Sequence, residues 1–245
     1  MCRDICSAAA PGPPDTQGTL SKYFRSAEDF VYKTPDNMGL DETVLVEPLA
    51  VAVHAVKLAD VRPGETVVVM GSGTIGLFCE ADARQFGAHR IIVVDILECE
   101  TFRSSTDASP ENNAEELLKK FDLVEYGIDT TGGLLDTVIE ASGATSSIVT
   151  GINVVRPGGK YVQTGLGKPK IEFPIVTMGQ KELMVRGCFR YGAGDYELAV
   201  GILEKGSIDV NPLISSLTPF ERATEAWEKT SRGEGIKNLI QGVLD

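Results

Sequence analysis

The hexapeptide Gly71–Gly76, of sequence GSGTIG, carries the clearest chemical signal in this chain. Its G-x-G-x-x-G spacing is typical of loops that hold the pyrophosphate of a dinucleotide. The first glycine permits a tight turn, the second lets the backbone approach the pyrophosphate, and the third lets a helix pack closely on a strand. The free N–H groups at the start of that helix favour an anion. The hexapeptide therefore predicts a dinucleotide site.

An acid lies at the distance from this loop that such a site requires. Asp95 follows Gly76 by 19 residues, close to the spacing of about 20 expected for the residue that binds the ribose 2′-hydroxyl. A carboxylate there favours NAD, because it would repel the 2′-phosphate of NADP. The alternative is an α/β protein with a glycine turn and an incidental acid.

The elements around the loop fit the first interpretation. Thr66–Met70 is a run of apolar and β-branched residues, typical of a strand buried on both faces. Thr74–Phe86 then has the pattern of a helix, and Ile91–Asp95 that of a second buried strand. A strand–helix–strand unit predicts a parallel sheet with a right-handed crossover. The expected class is α/β, with a Rossmann-type doubly wound parallel sheet.

Further periodic segments continue the alternation. A buried helix, kinked at Pro48, is expected over Glu42–Asp60. A short strand pair is expected within Tyr23–Lys33, and an exposed loop over residues 1–19. Further helices are expected over 109–121, 146–155, 195–205 and 219–232, and further strands over 136–141, 160–164, 183–189 and 237–243.

Composition excludes several classes of function. The 245 residues correspond to about one and a half domains. A net charge of −12 argues against a general nucleic-acid binder and against an anionic membrane surface. No apolar run approaches the roughly 18 residues of a membrane span. The five cysteines are scattered without a CxxC pair, so a cytoplasmic protein without a disulfide framework is expected.

At several of these segments the chain resembles the medium-chain dehydrogenase/reductase superfamily. Within it, the sequence is similar to the zinc-containing polyol (sorbitol and xylitol) dehydrogenases, notably the fungal ones. The resemblance runs from about residue 16 to the C-terminus. It is carried by residues 18–23 (GTLSKY), 46–51 (VEPLAV), 71–76 with Asp95, 158–165 (GGKYVQTG) and 187–192 (GCFRYG).

The resemblance implies a domain arrangement and an activity. Residues 1–45 would be the remnant of a mostly β (GroES-like) catalytic lobe, 46–189 the NAD-binding Rossmann domain, and 190–245 the return to the catalytic lobe. The implied reaction is NAD-dependent oxidation of a sugar alcohol, such as xylitol, sorbitol or arabinitol, to a ketose. Homo-oligomers would form through the edge strand at Leu183–Phe189.

The same resemblance assigns roles to individual residues. Glu47 would lie near the catalytic zinc and act in catalysis and substrate binding, and Arg190 and Tyr191 would reach the substrate hydroxyls. Each has a structural alternative: a helix N-terminal acid for Glu47, a surface ion pair for Arg190, and simple packing for Tyr191. The implied cofactor contacts are Gly71, Ser72, Gly73, Thr74, Ile75, Gly76, Asp95, Thr164, Gly165, Leu166, Cys188, Phe189 and Arg190.

Two departures from the family pattern stand out. The catalytic domain that supplies the family's zinc-binding Cys and His-Glu pair is expected to be largely missing, and His54 and His89 are interpreted as structural. Zinc is expected for the family, but its ligands are absent here, so no metal residue is assigned. A non-catalytic NAD-binding pseudoenzyme, or a truncated gene product, is therefore the alternative function.

The second departure concerns the edge of the sheet. Cys99–Arg103 resembles the family's third strand, yet almost nothing separates it from Asp95. A parallel crossover ordinarily needs a dozen or more residues. The segment is therefore expected to be a loop, or the sheet edge to be rearranged.

Overall fold

Helices and strands alternate along most of the chain. A computed structural model describes residue 20 and residues 22–97, 102–124 and 133–242. The helices are α1 (Leu40–Thr43), α2 (Val46–Leu58), α3 (Thr74–Gln85), α4 (Pro110–Lys120), α5 (Thr145–Val154), α6 (Ile175–Gln180), α7 (Asp195–Glu204) and α8 (Ala223–Ser231). The strands are β1 (Thr66–Met70), β2 (Arg90–Asp95), β3 (Phe102–Arg103), β4 (Leu123–Val124), β5 (Gly133–Leu134), β6 (Thr137–Glu140), β7 (Lys160–Gln163), β8 (Met184–Gly187), β9 (Ile214–Thr218) and β10 (Lys237–Ile240).

The chain folds as two compact units. One contains Met1–Glu47 and Gly192–Asp245, and the other contains Pro48–Tyr191. In the first unit, β9 and β10 form a parallel pair, and Tyr32 stacks on Tyr196 with ring centroids 4.5 Å apart. No helix in the described part of the chain has the length and apolar character needed to cross a membrane.

A six-stranded sheet organises the second unit. Its strand order is β3-β2-β1-β6-β7-β8, and every neighbouring pair is parallel. All residues of β1 and β6 are buried, as expected for strands covered on both faces. Strand order reverses between β1 and β6, which is the arrangement of a doubly wound dinucleotide-binding fold. The predicted Rossmann-type α/β class is confirmed.

Buried apolar side chains hold helices against the sheet. Alternate residues of β1 and β2 share one cluster with α4, α5 and Phe102 of β3. α4 begins where the sequence predicts: the Ser109 hydroxyl accepts a hydrogen bond from the Asn112 N–H (3.2 Å), and Pro110 is the first helical residue. These contacts hold the helices against the sheet and so support the strands whose ends carry the predicted site.

Two local predictions near the N-terminal side are wrong. Tyr23–Lys33 contains no strand; it has a single 3₁₀ turn at Glu28–Phe30, and almost all of its side chains are exposed, so no sheet face is available to bury them. The helix expected over Glu42–Asp60 is two helices, α1 and α2. Pro48 does not kink α2, because it lies in the first turn, where its missing N–H has no partner to lose.

The expectation for the sheet edge is partly wrong. Residues 102–103 form β3, which pairs in parallel with the end of β2, so this part is not a loop. Six residues separate the two strands. So short a connection suffices because the pairing covers just the last two residues of β2, which leaves little distance to return. Residues 1–19 and 99–101, for which predictions were made, lie outside the described residues.

Candidate functional site

The glycine loop follows β1 and leads directly into α3. Gly71 has a φ of +104° and donates its N–H to the carbonyl of Val94 at 2.7 Å. A β-carbon on Gly76 would lie 1.9 Å from the carbonyl oxygen of Gly71, so α3 can sit this close to the turn only without a side chain there. A β-carbon on Gly73, in contrast, would meet no atom within 4 Å. The open space over Gly73 is where a ligand can approach the backbone.

The first turn of α3 presents backbone N–H groups to this space. Gly73 occupies the N-cap position, and no side chain caps the helix. Thr74 and Ile75 are the first two helical residues. The dipole and the N–H groups of an uncapped helix start attract an anion. The geometry therefore fits the pyrophosphate predicted for this loop.

Asp95 is tied to the glycine loop. Its Oδ2 accepts hydrogen bonds from the backbone N–H (2.6 Å) and the hydroxyl (2.8 Å) of Ser72, and its Oδ1 accepts from the N–H of Leu97 (3.0 Å). Burial raises the pKa of Asp95, but the hydrogen bonds from Leu97 and Ser72 outweigh burial and hold its pKa below the usual value. The carboxylate is thus ionised at neutral pH, beside the loop that it was predicted to serve.

The buried carboxylate of Glu140 joins the two loops that follow β6 and β7. It accepts hydrogen bonds from the N–H of Gly143 (2.9 and 3.0 Å), from the N–H of Ser142 (3.0 Å) and from the Ser142 hydroxyl. Gln163 donates its side-chain N–H to the same carboxylate at 2.7 Å. Sequence reasoning missed this residue. The available signal was an acid at the end of a strand, followed by Ala-Ser-Gly, next to the point where strand order reverses.

The predicted nicotinamide-side segment, Thr164–Leu166, lies at the end of β7. The N–H groups of Thr164 and Gly165 both donate to the carbonyl of Glu140 at 2.8 Å. A β-carbon on Gly165 would lie 2.2 Å from the nitrogen of Gly143, so the two loops interlock through glycines. The Thr164 hydroxyl is buried and has no hydrogen-bond partner among the described residues, whereas Leu166 is 84% exposed. A buried hydroxyl without a partner in a native fold is uncommon, and a bound ligand is one group that can satisfy it.

The segment after β8 supplies the last predicted cofactor contacts. Cys188 is buried and donates its N–H to the carbonyl of Gln163 at 2.8 Å. Phe189 is exposed, and the Arg190 guanidinium lies 5.7 Å from the centroid of its ring. Arg190 has a φ of +55°, a strained conformation for a residue with a side chain. Because parallel strands end at one edge, the structure brings the loops after β1, β2, β6, β7 and β8 together at the same edge of the sheet.

The two remaining predicted residues belong to different units. Tyr191 is the last residue of the second unit, whereas Glu47 belongs to the first and lies half-buried in the first turn of α2. Burial, and then the charge of Glu47, raise the pKa of Tyr196. Glu47 therefore lies near the Tyr196 hydroxyl, which belongs to the same unit.

The described residues do not form a zinc site. Within residues 20, 22–97, 102–124 and 133–242, no three His, Cys, Asp or Glu side chains are grouped closely enough to hold a metal ion. Catalytic zinc ordinarily takes three protein ligands. Zinc therefore does not fit this part of the chain.

A family model and the sequences of fungal enzymes both match this chain. A family model described as zinc-binding dehydrogenase matches residues 74–205. The D-xylulose reductase A of Aspergillus oryzae is 46% identical over an alignment of 253 residues, which covers 99% of this chain and 68% of that protein. The probable D-xylulose reductase A of Aspergillus clavatus is 44% identical over 255 residues, covering 100% of this chain and 68% of that protein.

Solved structures share the fold. An Escherichia coli oxidoreductase/dehydrogenase of unknown specificity is 25% identical with a TM-score of 0.81, and the match covers 95% of this chain and 67% of that one. The L-idonate 5-dehydrogenase of Escherichia coli is 27% identical with a TM-score of 0.71, covering 84% and 58%. These matches confirm the predicted resemblance to polyol dehydrogenases.

Proposed function

We propose that this chain, which belongs to the zinc-binding dehydrogenase family, oxidises a sugar alcohol to a ketose with NAD as the hydride acceptor. The observation that carries the proposal is the glycine loop at the edge of the sheet, with open space over Gly73 and the ionised Asp95 beside it. The names of the fungal relatives, D-xylulose reductases at 44–46% identity, support a five-carbon polyol as the class of substrate. Xylitol and arabinitol are the first candidates, and the six-carbon sorbitol is tested beside them.

In this proposal the cofactor lies along the edge of the sheet. The N–H groups at the start of α3 bind its pyrophosphate, and Asp95 accepts hydrogen bonds from the adenosine ribose. The Thr164 hydroxyl, with Gly165 and Leu166, receives the nicotinamide half. Cys188 and Phe189 close the same half of the site from the next strand. NAD, when bound, accepts the hydride that leaves the alcohol carbon.

Three side chains are proposed to bind the polyol. Arg190 donates hydrogen bonds to its hydroxyls, and Tyr191 orients it. For Glu47, the proposed role is to accept a hydrogen bond from a substrate hydroxyl and to act in catalysis. In this oxidation the alcohol carbon gives its hydride to NAD, the hydroxyl proton is released to water, and a ketone remains. Family membership supports a small-molecule substrate.

The remaining features of the proposal concern assembly and location. β8 is an edge strand whose four residues are all exposed, including Met184 and Val185. An open edge with apolar side chains is a site for pairing with another strand. We infer that a second copy pairs there and forms a homo-oligomer. A cytoplasmic location, and the absence of nucleic-acid and membrane partners, stay predictions from charge and cysteine usage.

Formation of NADH tests the function. The purified full chain is mixed with NAD, added zinc and xylitol, sorbitol or arabinitol, and the absorbance of NADH is followed. We expect turnover with at least one polyol. We expect Arg190→Ala to raise the KM for polyol and also to weaken NAD binding, because Arg190 is among the implied cofactor contacts. Arg84→Ala, on an exposed arginine of α3, serves as the control.

Two outcomes would contradict the proposal in different ways. Folded protein that binds NAD yet oxidises no polyol would support a non-catalytic NAD-binding module. Folded protein that binds no nucleotide would reject both functions.

A further inference from the structure

A chain of hydrogen bonds crosses the ends of β6 and β7 on one face of the sheet. Glu140 and Gln163 are opposite residues in the register of the two strands, and Tyr161 lies two residues before Gln163 on the same face. The buried Tyr161 hydroxyl donates to Oε1 of Gln163 at 2.7 Å. Nε2 of Gln163 donates to Oε2 of Glu140, also at 2.7 Å. We call this amide–carboxylate bond between neighbouring strands the bridge.

The two side chains of the bridge are fully engaged within the protein. Both amide hydrogens of Gln163 are used, because Nε2 also donates to the carbonyl of Gly165 at 2.8 Å. The buried Glu140 carboxylate accepts from Gly143 and Ser142 in addition to Gln163. Side chains engaged in this way have no donor to offer a ligand. They can act on a bound cofactor through the backbone that they hold.

The backbone held by the bridge is the loop that follows β7. A β-carbon on Gly165 would lie 2.2 Å from the nitrogen of Gly143, and one on Gly167 would lie 1.9 Å from its carbonyl oxygen. Contacts this close allow the two loops a single relative position. Thr164, with its buried hydroxyl, and the exposed Leu166 belong to the same loop. The position of both side chains therefore depends on the bridge.

The bridge lies on one side of the proposed cofactor site. In the proposed function, the glycine loop and Asp95 bind the pyrophosphate and the adenosine ribose, and the loop after β7 receives the nicotinamide half. The hydrogen bonds of the bridge side chains go to Tyr161 and to the loops after β6 and β7. Within the described residues, neither side chain is hydrogen-bonded to the glycine loop. Loss of the bridge should therefore affect the two halves of the cofactor unequally.

We propose that Gln163 and Glu140 are positioning residues, which hold the loop after β7 in place for the nicotinamide half of NAD(H) and leave the affinity for the ADP-ribose half unchanged. This inference rests on the proposed function. ADP-ribose is the cofactor without its nicotinamide, so a comparison of NADH with ADP-ribose isolates the half that the bridge serves.

Titration of the full chain with NADH, followed by its fluorescence, and with ADP-ribose, followed by calorimetry, tests the proposal. Gln163→Glu keeps the size of the side chain and the acceptor for Tyr161, but it removes both donors and places a second carboxylate beside Glu140. We expect NADH to bind about tenfold or more weakly, as loss of hydrogen bonds to a charged group predicts, and ADP-ribose to bind within about twofold of wild type. Gln180→Glu, at an exposed glutamine at the end of α6, adds the same charge and should change neither affinity.

An exchange of the two residues separates positioning from general damage. In the double variant Glu140→Gln with Gln163→Glu, the amide and the carboxylate change places, so position 140 donates and position 163 accepts. We expect the re-formed bridge to recover part of the NADH affinity that Gln163→Glu loses. Thermal unfolding of each variant verifies that the chain is folded.

Equal weakening of NADH and ADP-ribose in Gln163→Glu would overturn the proposal, because the damage would then be general, and so would unchanged binding of both. A double variant that binds NADH no better than Gln163→Glu would also overturn it. A positioning pair leaves the fold intact, so failure of both variants to fold counts against it as well. In all these cases the proposed function stands. Folded wild-type protein that binds no NADH rejects the proposed function, and the role of the bridge with it.

Discussion

Replacing the first-turn glycine of α3 with alanine tests how the loop is built. In Gly76→Ala the new methyl group would lie 1.9 Å from the carbonyl oxygen of Gly71 and 2.9 Å from its carbonyl carbon, where ordinary contacts begin at 3.4 Å. The loop or the helix must move by well over an ångström. Such overpacking costs about 1–3 kcal/mol, and alanine regains about 1 kcal/mol of helix propensity. Because the new methyl group would meet backbone atoms, which cannot rotate away, the upper end of the cost applies, and we expect the free energy of unfolding to fall by about 2 kcal/mol.

Gly73→Ala is the matched variant with the opposite expectation. Its β-carbon would meet no atom within 4 Å, and its φ of −71° suits alanine. Alanine lowers the stability by about 0.5 kcal/mol at the N-cap position. It raises the stability by about the same amount because the unfolded chain has less conformational freedom, so the two effects nearly cancel. The methyl group fills the space assigned to the pyrophosphate, however. We expect unchanged stability and at least about tenfold weaker NAD binding, or about 1.4 kcal/mol.

Urea unfolding and calorimetric NAD titration distinguish the two roles. Gly179→Ala, at another open glycine, controls for the substitution itself and should leave NAD affinity unchanged. If Gly73→Ala binds NAD as tightly as wild type, the backbone there does not face the cofactor. If Gly76→Ala is as stable as wild type, the close contact with Gly71 does not exist in solution.

Three further predictions concern the polar groups of the site. Thr164→Val removes a buried hydroxyl without a described partner, so stability should be unchanged or rise by up to about 1 kcal/mol while NAD affinity falls; lower stability in urea would show that the hydroxyl has a partner. Glu140→Gln weakens the charge-assisted bonds to Gly143 and should lower the free energy of unfolding by about 2 kcal/mol and weaken NAD binding, whereas an unchanged urea midpoint would contradict this. The lowered pKa of Asp95 stabilises the fold at pH values above the ordinary carboxyl pKa. This contribution disappears as the pH falls through the lower pKa of the folded state. The difference in unfolding free energy between wild type and Asp95→Asn, measured against pH, should therefore vanish on the acid side and not at neutral pH.

The nucleotide loop was predictable because its chemistry is local. A glycine spacing, a β-branched run before it and an acid 19 residues later are all readable along one stretch of chain. The same holds for the Ser109-Pro110 start of α4. Local rules also erred where tertiary context decides: Tyr23–Lys33 has strand-forming residues but no sheet face to pack against.

Features formed between distant segments were not predictable. Glu140 bonds to Gln163 across 23 residues, and no motif marks that pairing in advance. Arg103 lies beside Asp95 because a two-residue strand needs little connecting chain, whereas the rule for crossovers assumes strands of full length.

Calorimetric titration of the folded full chain with NAD is the decisive measurement for the proposed cofactor site. We expect saturable binding at one site per chain, lost or strongly weakened in Gly73→Ala and retained in Gly179→Ala. Absence of saturable binding by folded wild-type protein, or equal binding by Gly73→Ala, would contradict it.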